Sequence, residues 1–188
     1  MKYRSAIFFF VFLFLWGTGS RGALAGSGSS GEYRIKAAFL YNFAKFVQWR
    51  KCPDKKKKDE ARLTIGILGR DPFGASISVL DGKTVGGRTL VIRRFSKLEQ
   101  VQSCHILFIS RSEKQDLARI LRSVGPSGTL TVGDMDGFVR AGGVVHFFMK
   151  QNKVRFEINV TAAEKARLKI SSKLLKLARI VRNSEDKP

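Results

Sequence analysis

Few side chains in this sequence are of a type and spacing that could do chemistry. Cys104 and His105 stand side by side, His146 lies in VVHFFM (144–149), and Asp134 and Asp136 share the segment GDMDG. A thiol next to an imidazole can be a nucleophile activated by a base. Here the pair opens the apolar run CHILFI (104–109), which has the length of a strand, and consecutive strand residues point to opposite faces. That separates the thiol from the imidazole. His146, inside an apolar strand, reads as a hydrogen-bonded histidine lining the sheet. GDMDG lacks the length and oxygen count of a calcium loop and reads as a turn. GILGRDPFG follows a strand, where open α/β sheets often bind ligands, but it matches neither GxGxxG nor the Walker pattern. No catalytic set, metal or cofactor is expected.

The stretch Val154 to Val181 holds more. Val154, Phe156, Ile158 and Val160 alternate with Arg155, Glu157 and Asn159, the period of a strand with one buried and one polar face. Thr161 and Glu164 have capping-box spacing and predict a helix start. After Ser171 and Ser172, Leu174, Leu177, Ala178 and Val181 mark one helical stripe, and Lys173, Lys176, Arg179 and Arg182 another. A polar strand face beside a basic helix is the predicted binding region, with Arg155, Glu157, Asn159, Lys169, Lys173 and His146 as its candidate residues. A purely structural account stands beside this one. Residues two apart on a strand lie roughly 6.8 Å from each other, so Arg155 and Glu157 can pair, and a basic stripe can be simply the solvated side of a helix.

The elements that would position these residues follow from periodicity. Ser29 and Glu32 predict a helix start, and the helix runs to Trp49 with Ile35, Phe39, Phe43, Phe46 and Val47 on one face. Residues 51–62, KCPDKKKKDEAR, have the composition of a solvated loop. Strands follow at 63–68, 88–93, 104–109 and 129–132, with helices between them near 71–80 and 112–124. Residues 144–149 and 154–160 are close enough for an antiparallel hairpin. The expected fold is α/β: a single domain with a mixed, mostly parallel six-stranded sheet and helices on both faces.

Composition narrows the partners. The chain has 188 residues, 35 basic and 15 acidic, for a formal charge of +20. Alone, that charge would suggest nucleic acid. The N-terminus argues otherwise: Lys2 and Arg4 precede the apolar run Ala6 to Trp16, and Ala23-Leu24-Ala25 supplies small residues for cleavage, the pattern of a secretory signal. The run is too short for a bilayer span, which needs roughly 20 residues. The expected organisation is a signal peptide over 1–25, a flexible linker over 26–31, one domain over 32–182 and a disordered tail over 183–188. Loss of Lys2, Arg4 and Arg21 leaves 32 basic residues against 15 acidic, a net +17. An exported protein does not meet genomic DNA, so the charge points to an anionic small molecule, an anionic membrane surface or an acidic protein. Two cysteines, Cys52 and Cys104, allow one disulfide in an oxidising compartment, and sequence leaves the pairing open.

Several ordered blocks resemble one family. YRIKAAFLYNFAKFVQW (33–49), LTIGILGRDPFG (63–74), CHILFIS (104–110), LTVGDMDGF (130–138), VRFEINVTAA (154–163) and ISSKLLKLARIV (170–181) are similar to the YfiR family of small periplasmic proteins. The resemblance implies a homodimeric α/β regulator with redox-sensitive disulfides and no catalysis of its own. Its implied role is to bind and repress the periplasmic domain of a membrane diguanylate cyclase, or else a sensor kinase. The alternative expectation is a binding module for a small anionic or aromatic metabolite.

Overall fold

The computed structural model describes residues 27–49, 61–101 and 104–182. Helix α1 (Ser27–Phe46) leads into strand β1 (Val47–Trp49). Then come β2 (Arg62–Leu68), α2 (Ala75–Ser78), β3 (Thr84–Val85), β4 (Arg88–Phe95), β5 (Ile106–Ile109), α3 (Leu117–Val124) and β6 (Leu130–Gly133). The last third holds β7 (Val145–Lys150), β8 (Lys153–Asn159), α4 (Val160–Lys165), β9 (Leu168–Ile170), α5 (Ser172–Leu175) and β10 (Arg179–Val181).

The main sheet has eight strands in the order β10-β8-β7-β6-β5-β2-β4-β3. Only the β7–β8 and β3–β4 pairings are antiparallel. All six expected strands are present, and the short edge strands β3 and β10 bring the count to eight. β1 and β9 form a separate antiparallel ribbon with Gln48 opposite Lys169 and Trp49 opposite Leu168.

Strand alternation splits the apolar residues between two cores. Leu63, Ile65, Ile67, Ile106, Phe108, Phe147, Phe156 and Ile158 pack with α1, α2, α4 and α5 on one face. Leu68, Leu107 and Ile109 pack with Leu117, Ile120, Leu121 and Val124 of α3 on the other. In α1 the buried stripe is Ala37, Leu40, Phe43 and Ala44, with Phe39 and Phe46 partly buried against it. Ile35, expected on that face, is 48% exposed. The reason lies one residue on: Lys36 is turned inward and only 1% exposed, which rotates the stripe away from Ile35.

Three local expectations differ from the structure. First, α1 begins at Ser27, within the expected linker, and ends at Phe46, where Val47–Trp49 leaves the helix to pair with β9. Second, α4 is capped by Asn159, whose side-chain oxygen accepts from the Ala162 N–H at 3.0 Å, rather than by Thr161. Third, 171–181 is not one helix. Ser171 caps a single turn, the Leu177 and Ala178 N–H groups close tight i→i+3 bonds to Leu174 and Leu175, and the chain then extends into β10. β-branched Ile180 and Val181 suit a strand, and they pair in parallel with Ile158 and Asn159. Leu177, expected in the apolar stripe, is 70% exposed.

Candidate functional site

Three groups of polar side chains sit on this frame. At the carboxyl end of β6, Asp134 is 3% exposed and gathers residues from α1 and from the β5–α3 connection. Lys36 Nζ donates to its Oδ2 at 2.5 Å and the Tyr33 hydroxyl at 2.7 Å. Arg111 Nε donates to Oδ1 at 3.2 Å. Lys36 also pairs with Glu32, one turn back in α1. Burial alone would raise the Asp134 pKa, but Lys36, Tyr33 and Arg111 outweigh it and hold the carboxyl below its ordinary value. Burial, then the bond to Asp134, pushes the Tyr33 phenol well up. The group therefore fastens the start of α1 to the sheet through charge-assisted bonds.

On the second face of the sheet, Glu157 lies opposite His146 on β7 and beside Arg179 on β10. His146 Nδ1 and Glu157 Oε1 are 2.8 Å apart, and Arg179 Nε donates to Oε2 at 2.7 Å. The Arg179 guanidinium also sits 4.7 Å from the Phe148 ring centre. Burial would raise the Glu157 pKa, and hydrogen bonds from His146 and Arg179 reverse this, leaving it lowered. Glu157 therefore pairs with His146 and Arg179; Arg155, its partner in the purely structural account, lies exposed and makes no ion pair among the described residues.

The third group lines a cleft of about 440 Å³ at the β1–β9 ribbon, formed by Gln48, Trp49, Glu164, Arg167, Leu168 and Lys169. Trp49 is fixed from behind, its indole N–H donating to the His105 carbonyl at 2.9 Å and its ring meeting the His105 imidazole edge-on at 5.5 Å. The Thr64 N–H donates to His105 Nδ1 at 3.1 Å, so that imidazole serves the frame. Arg167 turns the chain into β9 with a positive φ of 55°, a left-handed conformation unfavourable to a residue with a Cβ.

The predicted site residues thus scatter. His146 and Glu157 meet, with Arg155 on the same face. Asn159 is fully buried, where it caps α4 and donates to the Val139 carbonyl at 3.0 Å. Lys169 lies in the cleft, and Lys173 is exposed at the start of α5. Cys104 is buried in the second core, and Cys52 lies outside the described residues, so the disulfide stays an expectation. His105, His146 and Asp134 each have their own partners and do not share a cleft. Among the described residues no group of three or more His, Cys, Asp or Glu could hold a metal, and no helix is long and apolar enough to cross a membrane. Sequence reasoning missed Lys36, Tyr33, Trp49 and Arg167. Only Trp49 had a signal, an aromatic at the end of the first helix next to a charged loop.

The scaffold can be matched to known proteins. A family model described as YfiR/HmsC-like matches residues 33–179, nearly all of the described fold. The chain belongs to the YfiR/HmsC-like family. Among solved structures, a conserved domain protein from Vibrio cholerae aligns with a TM-score of 0.52 and 14% identity, over 78% of this chain and 60% of that one. A domain from Streptococcus pneumonia described in complex with L-Trp aligns with a TM-score of 0.46 and 12% identity, over 65% of this chain and 58% of that one. This chain thus spans about three-fifths of the length of either, and the first likeness bears on the fold alone. No match is found among curated proteins.

Proposed function

We propose that this YfiR/HmsC-like protein is an exported periplasmic regulator, with residues 1–25 as its leader, that binds and represses the sensor region of an inner-membrane diguanylate cyclase. The observation that carries the reading is the family match across residues 33–179. The arrangement of the ionisable groups is consistent with it. Asp134 and Glu157 are each engaged by cations and serve the frame, which leaves an outer surface rich in basic side chains for a partner. Binding of the exported chain to purified periplasmic sensor domains, read by biolayer interferometry alongside cyclic di-GMP output, tests the proposal. Saturable binding that lowers output supports it, and absence of binding by both reduced and oxidised protein refutes it. The same samples run on a calibrated sizing column with light scattering test the expected homodimer.

One observation favours a second reading, a small-molecule site. The Trp49 cleft sets an aromatic side chain among the cations Arg167 and Lys169 and the single carboxylate Glu164, a net positive lining suited to an aromatic anion. A thermal-shift screen of aromatic carboxylates and phosphates tests it. Stabilisation lost in Lys169→Gln supports the site, and no shift with any compound removes it.

A further inference from the structure

One edge of the sheet is left open. β10 ends the strand order, and among the described residues its outer side pairs with no strand. Edges that stay unpaired often carry lysine or proline. β10 is Arg179, Ile180 and Val181, and its arginine is drawn back over the sheet, where it bonds Glu157 and stacks over Phe148. That bond meets the charge within the chain and pins the strand. The edge also shows apolar surface: Ile180 is 41% exposed, and Leu177, two residues ahead of the strand, is 70% exposed. Ile180 lies opposite Ile158 and so points to the face that carries α1. The far edge of the sheet differs. β3 is Thr84 and Val85, with Val85 buried, exposed Lys83 before it and a glycine turn after it.

We infer that β10 is a self-association strand, paired antiparallel in solution with β10 of a second copy. Two-fold pairing presents the same patch from both sides, so the patch must complement itself. Directly opposed residues of an antiparallel pair share a face, which places the axis at a residue rather than between two. An axis at Arg179 would oppose two arginines, a destabilising pair. An axis at Ile180 instead sets Ile180 against its copy and each Arg179 against Val181 of the second copy, so no like charges are opposed within the strand. Because β3 offers no exposed apolar edge of this kind, pairing stops at two copies instead of growing into a fibre. The inference names a surface for the homodimer expected above and rests on that state, not on sensor binding.

Sedimentation equilibrium of the exported chain tests it, with substitutions that add the same charge at exposed apolar positions. Ile180→Lys opposes two lysines at the axis and removes an apolar contact from both copies, so the dimer Kd is expected to rise by about a hundredfold. Leu177→Lys, outside the strand, is expected to raise it about tenfold. Val79→Lys, beside α2 and 64% exposed, is expected to leave it within a few-fold of the parent. Circular dichroism melts show that each variant is folded, and if Ile180→Lys loosens β10, Leu177→Lys carries the comparison. Hydrogen exchange gives a reading without any substitution: backbone amides of residues 179–181 should exchange more slowly as concentration rises through the Kd. A dimer that Ile180→Lys and Leu177→Lys weaken no more than Val79→Lys does overturns the interface and leaves the homodimer standing. A parent that is monomeric throughout overturns both. Protection of the β10 amides that arises only on adding a sensor domain gives the edge to that partner and likewise overturns the inference.

Discussion

Replacing Lys36 by Met keeps the length of the side chain and removes its charge from the most enclosed ionic group among the described residues. Lys36 and Asp134 are 1% and 3% exposed and meet at 2.5 Å. Removing one partner of a buried pair typically costs about 3–5 kcal/mol, because the other charge is left without compensation. Asp134 would keep Tyr33 and the Arg111 guanidinium, and Arg111 is 66% exposed at its side chain, so its help is screened by water. The lower end, about 3 kcal/mol, is therefore expected, equivalent to roughly 6–12 °C in Tm for a domain of this size. Urea titrations followed by circular dichroism at several pH values measure it. The Asp134 pKa is lowered in the folded protein, so its stabilisation is complete above about pH 4 and lost as pH falls through the lowered value. The gap between parent and variant should accordingly narrow in acid. Lys36→Met/Asp134→Leu, which removes both charges, should recover most of the loss. A Lys36→Met protein within about 0.5 kcal/mol of the parent at neutral pH, or a gap that does not close in acid, would refute the view that this pair holds α1 to the sheet.

Other substitutions probe separate features. Arg167→Gly relieves the left-handed conformation at residue 167 and should stabilise by about 1 kcal/mol, seen as a rise in Tm, while weakening any anion bound in the Trp49 cleft. Arg179→Ala removes the exposed partner of Glu157 and should cost about 1 kcal/mol after allowance for solvent screening; hydrogen exchange should rise first at Ile180 and Val181. Gly143→Ala would drive a Cβ into the Phe138 ring, which also lies against Gly133, and should destabilise by about 1–3 kcal/mol in the same urea titrations. Glu157, also lowered, predicts a second loss of stability as pH drops below about 4.5, and His146→Gln should reduce its amplitude.

The sheet was legible because its signal is local. Each of β2, β4, β5, β6, β7 and β8 is an apolar or alternating run between turn residues, and period two survives whatever packs on it. Edge strands β3 and β10 were not legible. Two or three residues carry no period, and Arg179–Val181 completes a convincing helical stripe whose outcome depends on whether β8 offers a free edge. The site suffered more. Alternation correctly set Arg155, Glu157 and Asn159 on one face, but how deep each lies depends on non-local cover: the loop after β6 over Asn159, and Arg179 over Glu157. Lys36 is harder still. In a sequence it is one lysine on an amphipathic helix, and only Asp134, 98 residues away, gives a reason to bury it.

The position of β10 has a consequence for how the chain matures. Synthesis delivers the chain from its N-terminus, so β8 arrives before the strand that covers it. Until Arg179–Val181 emerge, the outer edge of β8 offers unpaired backbone groups beside Phe156 and Ile158, a template for pairing with another molecule. Loss of only the last ten or so residues would then prolong an aggregation-prone stage, although it removes almost nothing from the core.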